Sequence, residues 1–281
     1  MKKLILSFSI FVGIIFSGCA STTQGGVVGA NRTQLLTVSE ASMNQSAKLA
    51  YADTLKQANS AKTLNTDATQ TKRVKNISAR LINQVGVFRP DALNWDWEVN
   101  VINDKTINAW CMPGGKIAVY TGIINSLKLT DDELAAVIGH EIAHALREHS
   151  REQASQDQLK NVGIFAVSQV AGLGDLGTAA INMAAHYTIS LPFSRSHESE
   201  ADLMGLELMA RAGYNPNAAV NVWKKMSETS GNSTPQFLST HPSHETRIKD
   251  LSNAIPKVMP LYEEAVAKNK TTKKATKVAK K

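Results

Sequence analysis

The sequence predicts a mostly helical α+β fold, and three observations predict it. Apolar residues recur at three- and four-residue steps in several separate stretches, the pattern of helices with one buried face. A single block, Trp95 to Thr121, contains strand-like alternation with turn residues between, which places a small sheet among the helices. Gly86, Pro113-Gly114-Gly115 and Gly213 mark where elements end or turn. With 281 residues, of which roughly 260 remain after loss of a leader, the chain is long enough for a hydrophobic core.

In chain order, Lys2 and Lys3 precede an apolar run from Leu4 to Phe16 and then Ser17-Gly18-Cys19. That run is too short and wrongly flanked for a membrane-spanning helix and reads as a signal peptide, residues 1–18. The small residues before Cys19 resemble a bacterial lipobox, in which lipid is attached to the Cys after cleavage. Phe16 stands where that pattern prefers a smaller aliphatic residue. Ala20 and Ser21 offer no acidic inner-membrane retention signal, so the resemblance to Gram-negative lipoproteins implies the periplasmic face of the outer membrane. With Cys19 lipidated, Cys111 has no partner for an intrachain disulfide. Residues 19–30, rich in Gly, Ser and Thr, are expected to be a lipid-anchored flexible linker ahead of a domain spanning 31–264.

Ser39 caps a helix expected to run through Leu55, with a loop over Gln57 to Thr66. Asp67, with Gln70 three residues on, caps another whose buried stripe is Val74, Ile77, Leu81 and Val85. Trp95, Trp97, Val99 and Val101 then share one face of a strand. Asn103-Asp104 reads as a turn into a second strand, Ile107 to Cys111, and Pro113-Gly114-Gly115 as a turn into a third, Lys116 to Thr121. Strands joined by such short turns predict a three-stranded antiparallel sheet.

Thr130 to Ser150 reads as one long helix with Leu134, Val137, Ile138, Ile142 and Leu146 as its apolar stripe. Thr130 and Glu133 form a capping-box pattern, and Asp131 and Asp132 put negative charge where the helix dipole favours it. Within it lies His140-Glu141-Ile142-Ala143-His144, an HExxH motif. The two His residues lie about 40° apart around the axis and roughly 6 Å apart along it, so both imidazoles reach one ion. Glu141 is about 100° from His140, flanking the metal where a general base belongs. HExxH arises by chance in roughly one such chain in a hundred, so the motif by itself is a hypothesis against an ordinary surface helix.

A catalytic zinc normally has three protein ligands and an open position. His149 lies about 140° around an unbroken helix from His144 and reads as a cap or surface residue. Glu148 shares the His stripe but lies roughly 12 Å along the axis from His140, so the third ligand must come from another segment. The best candidate lies in Ser194-Arg195-Ser196-His197-Glu198-Ser199-Glu200-Ala201-Asp202, which leads into a helix from Glu198 to Ala212 closed by Gly213. Asp202 lies one turn on from Glu198, on the same face, placed to accept from a ligating imidazole. Glu200 is about 200° from Glu198, so only one of the two faces zinc.

Residues 162–193, between these helices, are apolar but interrupted by glycines, with no run of 18 apolar residues. They read either as a lid over the cleft or as a helical hairpin on the core. Further on, Asn215-Pro216 begins a helix, and Ser239-Thr240-His241-Pro242-Ser243 leads into another. Pro242 constrains His241 to extended backbone. Residues 265–281 hold seven Lys and no acid and are expected to be disordered. Without those lysines, Lys2 and Lys3, 22 basic residues face 24 acidic ones, so the body is nearly neutral and the formal charge of +7 belongs to the tail. The absence of aromatics among those lysines argues against a nucleic-acid partner.

Gly139-His140-Glu141-Ile142-Ala143-His144, followed by Ser194-Arg195, Glu198 and Ala201-Asp202, resembles the HtpX-like and CAAX-prenyl-protease zinc metallopeptidases of gluzincin type. The likeness is strongest to the Oma-like periplasmic branch that includes BepA- and LoiP-like members. It extends to Asn108-Ala109-Trp110 and Pro113-Gly114-Gly115 upstream and to Thr240-His241-Pro242 with Arg247-Ile248 downstream. The resemblance implies one Zn2+ per chain held by His140, His144 and Glu198, with Glu141 catalytic and Arg195 and Asp202 as supporting motif residues. It implies for His241 either an oxyanion donor or a removable fourth ligand that holds the enzyme latent. It also implies a zincin-type helix beside a sheet edge that accepts an extended substrate backbone. The role it implies is proteolysis of misfolded or stalled outer-membrane proteins, with an envelope assembly machine as partner. The competing expectation is a latent or chaperone-like binding protein with a closed zinc site.

Overall fold

The computed structural model describes residues 19–159, 186–229, 235–242 and 245–279. Its elements in chain order are β1 (Cys19–Ala20), β2 (Gln34–Leu35), α1 (Glu40–Ser60), α2 (Ala68–Ile82), β3 (Glu98–Ile102), β4 (Ala109–Met112) and β5 (Lys116–Tyr120). After these come α3 (Thr121–Ser126), α4 (Asp131–Leu146), α5 (149–159), α6 (Arg195–Arg211), α7 (Asn217–Thr229), α8 (Gln236–Thr240) and α9 (Glu245–Ala279). The predicted mostly helical α+β fold with a small sheet is the fold observed.

Helix α4 is the hub, because residues 133–146 are buried on every face. It packs against α2, α6, α7 and β4. Its start is the predicted capping box: Thr130 accepts from Glu133 N–H and the Glu133 carboxylate accepts from Thr130 N–H. Ser39 and Asp67 cap α1 and α2 by accepting from Ser42 N–H and Gln70 N–H, and Val74, Ile77, Leu81 and Val85 are all buried as the periodicity requires.

The sheet corrects one expectation. It is mixed, not antiparallel, with order β3-β5-β4: β5 runs parallel to β3 and antiparallel to β4. Asn103-Asp104 does not close a hairpin. Asp104 accepts from Thr106 N–H and its backbone carbonyl from Gly122 N–H, while Asn103 Oδ1 accepts from Thr121, so this loop is tied to the start of α3. The second turn is as read: Gly114 and Gly115 have φ of 76° and 82°, a region that side chains with a Cβ rarely adopt. One sheet face, Ala109 and Cys111, meets α4; the other, Trp110 and Met112, meets Met43, Ala47 and Tyr51 of α1. The free side of β3 is occupied by residues 63–65, which leaves β4 as the sheet's other edge.

Two segments expected to be unstructured have regular contacts or secondary structure where they are described. Residues 21–30 lie on the domain surface as a strap, with Thr23, Val28 and Ala30 buried. Gln24 N–H donates to Phe88 O at 2.8 Å and Val27 N–H to Glu207 Oε2 at 2.8 Å. Its glycines make turns in this segment, Gly26 with φ 59° and Gly29 with φ 78°, so composition that fits a tether here serves a folded strap. The lysine-rich end continues α9 as helix to Ala279. No Gly or Pro follows Pro260, and Ala and Lys are good helix formers. Most of the segment read as a lid or a helical hairpin, 162–185, lies outside the described residues; 186–190 form a π-helical turn. Among the described residues no helix is long and apolar enough to cross a membrane.

Candidate metal centre

Two glycines bring the helices together. A Cβ at Gly205 of α6 would stand 2.8 Å from His140 N and 2.9 Å from Gly139 C, so α4 and α6 cross with backbones in contact. That crossing sits beside His140, and Glu198 lies two turns before Gly205 on the same face of α6. His241 arrives from a third segment at the end of α8, with its ring stacked on Phe237 at 4.5 Å.

The four side chains converge. His140 Nε2 is 3.1 Å from His144 Nε2, 3.3 Å from His241 Nδ1 and 3.5 Å from Glu198 Oε2. Glu198 Oε1 is 3.4 Å from His144 Nε2 and 3.1 Å from His241 Nδ1. Four donors held about 2.0–2.1 Å from one tetrahedral zinc stand about 3.3–3.4 Å apart. These residues therefore fit a zinc ion, and three imidazoles with one carboxylate are the donor types zinc takes. All four are buried, with His140 the most exposed at 4%.

Outside the cluster, Asp202 Oδ1 faces His140 Nδ1 at 3.0 Å. Arg247 grips Asp202 with two bonds of 2.6 Å, lies 2.6 Å from Glu198 Oε2, and stacks over Trp223 at 3.6 Å. Burial would raise the Glu198 carboxyl, but His241, Arg247 and the two α4 imidazoles hold it well below the usual range. Burial would likewise lower His140, yet Asp202 and Glu198 raise it above the ordinary imidazole value. His144, whose carboxylate help comes from Glu198 alone, is held well below by burial.

Glu141 points the other way, toward the sheet edge. Its Oε1 accepts no hydrogen bond, and His241 Nε2 lies 3.5 Å away. Burial pushes this carboxyl up to about 7. A buried carboxyl that exchanges a proton near neutrality is suited to general acid and base work.

Of the residues singled out in the sequence, His140, Glu141, His144, Glu198, Asp202 and His241 are brought together here. Arg195 is not. It occupies the exposed first turn of α6, beyond the crossing with α4, and Arg247 from α9 is the arginine that reaches Asp202. Cys19 is the first described residue, its backbone paired with Leu35, and Cys111 carries a free thiol. Two further residues belong to the centre. Phe193 stacks on His144 at 4.1 Å, and His149 is fully buried with Nδ1 2.9 Å from His144 Nδ1. Arg247 was visible as the last part of the Thr240-His241-Pro242 pattern; no sequence signal marks Phe193.

Residues 68–255 match peptidase family M48. The mitochondrial metalloendopeptidase OMA1 of Arabidopsis thaliana is 40% identical over 173 residues, 61% of this chain and 34% of that protein. The protein of the same name from Schizosaccharomyces pombe is 39% identical over 162 residues, 57% of this chain and 47% of its own length. A putative beta-barrel assembly-enhancing protease of Vibrio cholerae is 32% identical over 159 residues, 53% of this chain and 33% of that protein. The chain thus spans about a third to a half of the length of these relatives.

Proposed function

The chain belongs to peptidase family M48, and from that premise we propose that it is a zinc-dependent endopeptidase. The observation that carries the reading is the buried, converging set of His140, His144, Glu198 and His241, with Glu141 Oε1 3.5 Å from His241 Nε2. His140, His144 and Glu198 hold the metal. Zinc bound there supplies a Lewis acid that polarises a scissile carbonyl and acidifies water. Glu141 would act as the general base and acid, holding the proton that passes from attacking water to the leaving amine. The β4 edge of the sheet, order β3-β5-β4, aligns an extended peptide by strand addition.

His241 fills the fourth corner, which supports latency over the oxyanion role: in this arrangement its Nδ1 stands where substrate must enter. Withdrawal of the short α8 segment opens the site. A permanently closed, chaperone-like binding protein is the second reading, and the same closed corner favours it.

The setting we propose is the bacterial cell envelope. Residues 1–18 are a removable signal peptide, Cys19 carries lipid, and the domain faces the periplasm from the outer membrane. Its substrates in this reading are misassembled outer-membrane proteins and its partner an envelope assembly machine; the Vibrio cholerae relative, named a putative beta-barrel assembly-enhancing protease, supports a link to β-barrel assembly.

The test is cleavage of a fluorogenic unfolded polypeptide by the purified mature chain. Glu141→Gln abolishes turnover with zinc retained; full activity in that variant overturns the mechanism. His241→Ala accelerates turnover on the latency account, and abolishes it with zinc retained if His241 is an oxyanion donor. No turnover from wild type or His241→Ala leaves the binding-protein reading in its place.

A further inference from the structure

An unbroken helix would carry His149 away from His144, but α4 breaks. Glu148 adopts φ 51°, the left-handed region, and the chain turns at 147–148 before re-entering helix at 149. His149 is thereby folded back beneath His144, with the two Nδ1 atoms 2.9 Å apart. Its other nitrogen, Nε2, lies 3.1 Å from Glu200 Oε2. Glu200 is fixed in turn by Arg147 Nη2 at 2.8 Å and Arg32 Nη2 at 3.1 Å.

Proton placement follows from donors and acceptors. Glu200, paired with two guanidinium groups, offers acceptor oxygens, so His149 Nε2 carries the hydrogen and Nδ1 carries a lone pair. That lone pair faces His144 Nδ1, which must then be the N–H. His144 is left with its Nε2 lone pair directed at His140 Nε2 and Glu198 Oε1. One arrangement of protons satisfies both contacts and presents His144 to a metal through the correct atom.

We propose that His149 is a positioning residue for the metal ligand His144, set in its Nε2–H tautomer by Glu200. This rests on the metal reading of the cluster. The relay ends in the N-terminal strap: Arg147, completely buried, also donates to Arg32 O, Ser21 Oγ and Thr23 Oγ1. The zinc ligand is thus oriented by a chain that runs through α6 to residues 21–32.

Zinc competition against a chromophoric chelator, on the full mature chain, tests this. His149→Phe, which keeps a ring against His197, is expected to weaken zinc binding about 10–100-fold. His149→Gln, able to accept from His144 and donate to Glu200, is expected to recover most of the loss. A packing role predicts the reverse order, and wild-type affinity in His149→Phe overturns the proposal. If His149→Phe does not fold, imidazole 15N spectra of the zinc-loaded wild type decide: Nε2–H on His149 with Nδ1–H on His144 supports the relay. Nδ1–H or a doubly protonated His149 overturns it. A wild-type chain that binds no zinc overturns the metal reading and this proposal with it; zinc held equally by wild type and His149→Phe overturns this proposal alone.

Discussion

His140 and His144 occupy successive turns of α4 and point at one centre, yet their outer nitrogens are held by different means. His140 faces a carboxylate directly, and Asp202 is clamped by Arg247 from α9. His144 faces a neutral imidazole, which leads through Glu200 to Arg147, Arg32 and a strap more than a hundred residues upstream. The first arm is short and ionic. The second is long and depends on hydrogen-bond direction. The same burial therefore leaves His140 raised and His144 lowered, because only His140 has a carboxylate on each side. Two ligands of identical type in one motif can thus differ in what disables them.

The largest effect is expected from breaking the ionic arm. Arg247→Ala leaves Glu198 and Asp202 buried without their cation, and removing one partner of a buried ion pair costs about 3–5 kcal/mol. The denaturant midpoint of the metal-free chain should fall accordingly; an unchanged midpoint would remove Arg247 from the account. A smaller effect, about 1–3 kcal/mol, is expected for Gly205→Ala, which strikes both arms by forcing α4 and α6 apart. Here zinc affinity should drop along with stability, and a variant that binds zinc as wild type would show that the crossing has slack.

The smallest effect sharpens the second arm and reads out in acid. Burial would raise the Glu152 carboxyl, but bonds from His197, Arg32 and Gln34 outweigh it and hold the group at about 2. A depressed folded-state pKa means this contribution is complete above the unfolded value, about 4.5, and is lost as pH falls through about 2. Hydrogen exchange in residues 21–35 should therefore accelerate over that window before α4 opens. Glu152→Gln should flatten the dependence; strap and α4 opening together at every pH would contradict the separation of the arms.

What the sequence disclosed follows the same division. Helix α4 was legible because its cap, acidic first turn and apolar stripe are all local, and Glu198 and Asp202 because they share a helical face. The order of the sheet was not, since alternation identifies strands but not partners, and Asn103-Asp104 bonds to Thr106 and Thr121 instead of closing a hairpin. His149 was read as a surface or cap residue because its position turns on the sign of φ at Glu148, a residue type that gives no warning of it. Residues 21–30 have the composition of a tether, and the groups that order them, Phe88 O and Glu207, lie far along the chain. Arg195 lay within the motif and Arg247 outside it, yet folding selected the distant one.

The central claim is that α4 and α6 together hold one metal ion through His140, His144 and Glu198. Elemental analysis of the purified mature chain and of Glu198→Ala, each shown to be folded by circular dichroism, tests it most directly. The account predicts one zinc per chain in the wild type and loss of it in the variant. One zinc per chain retained in Glu198→Ala would contradict it.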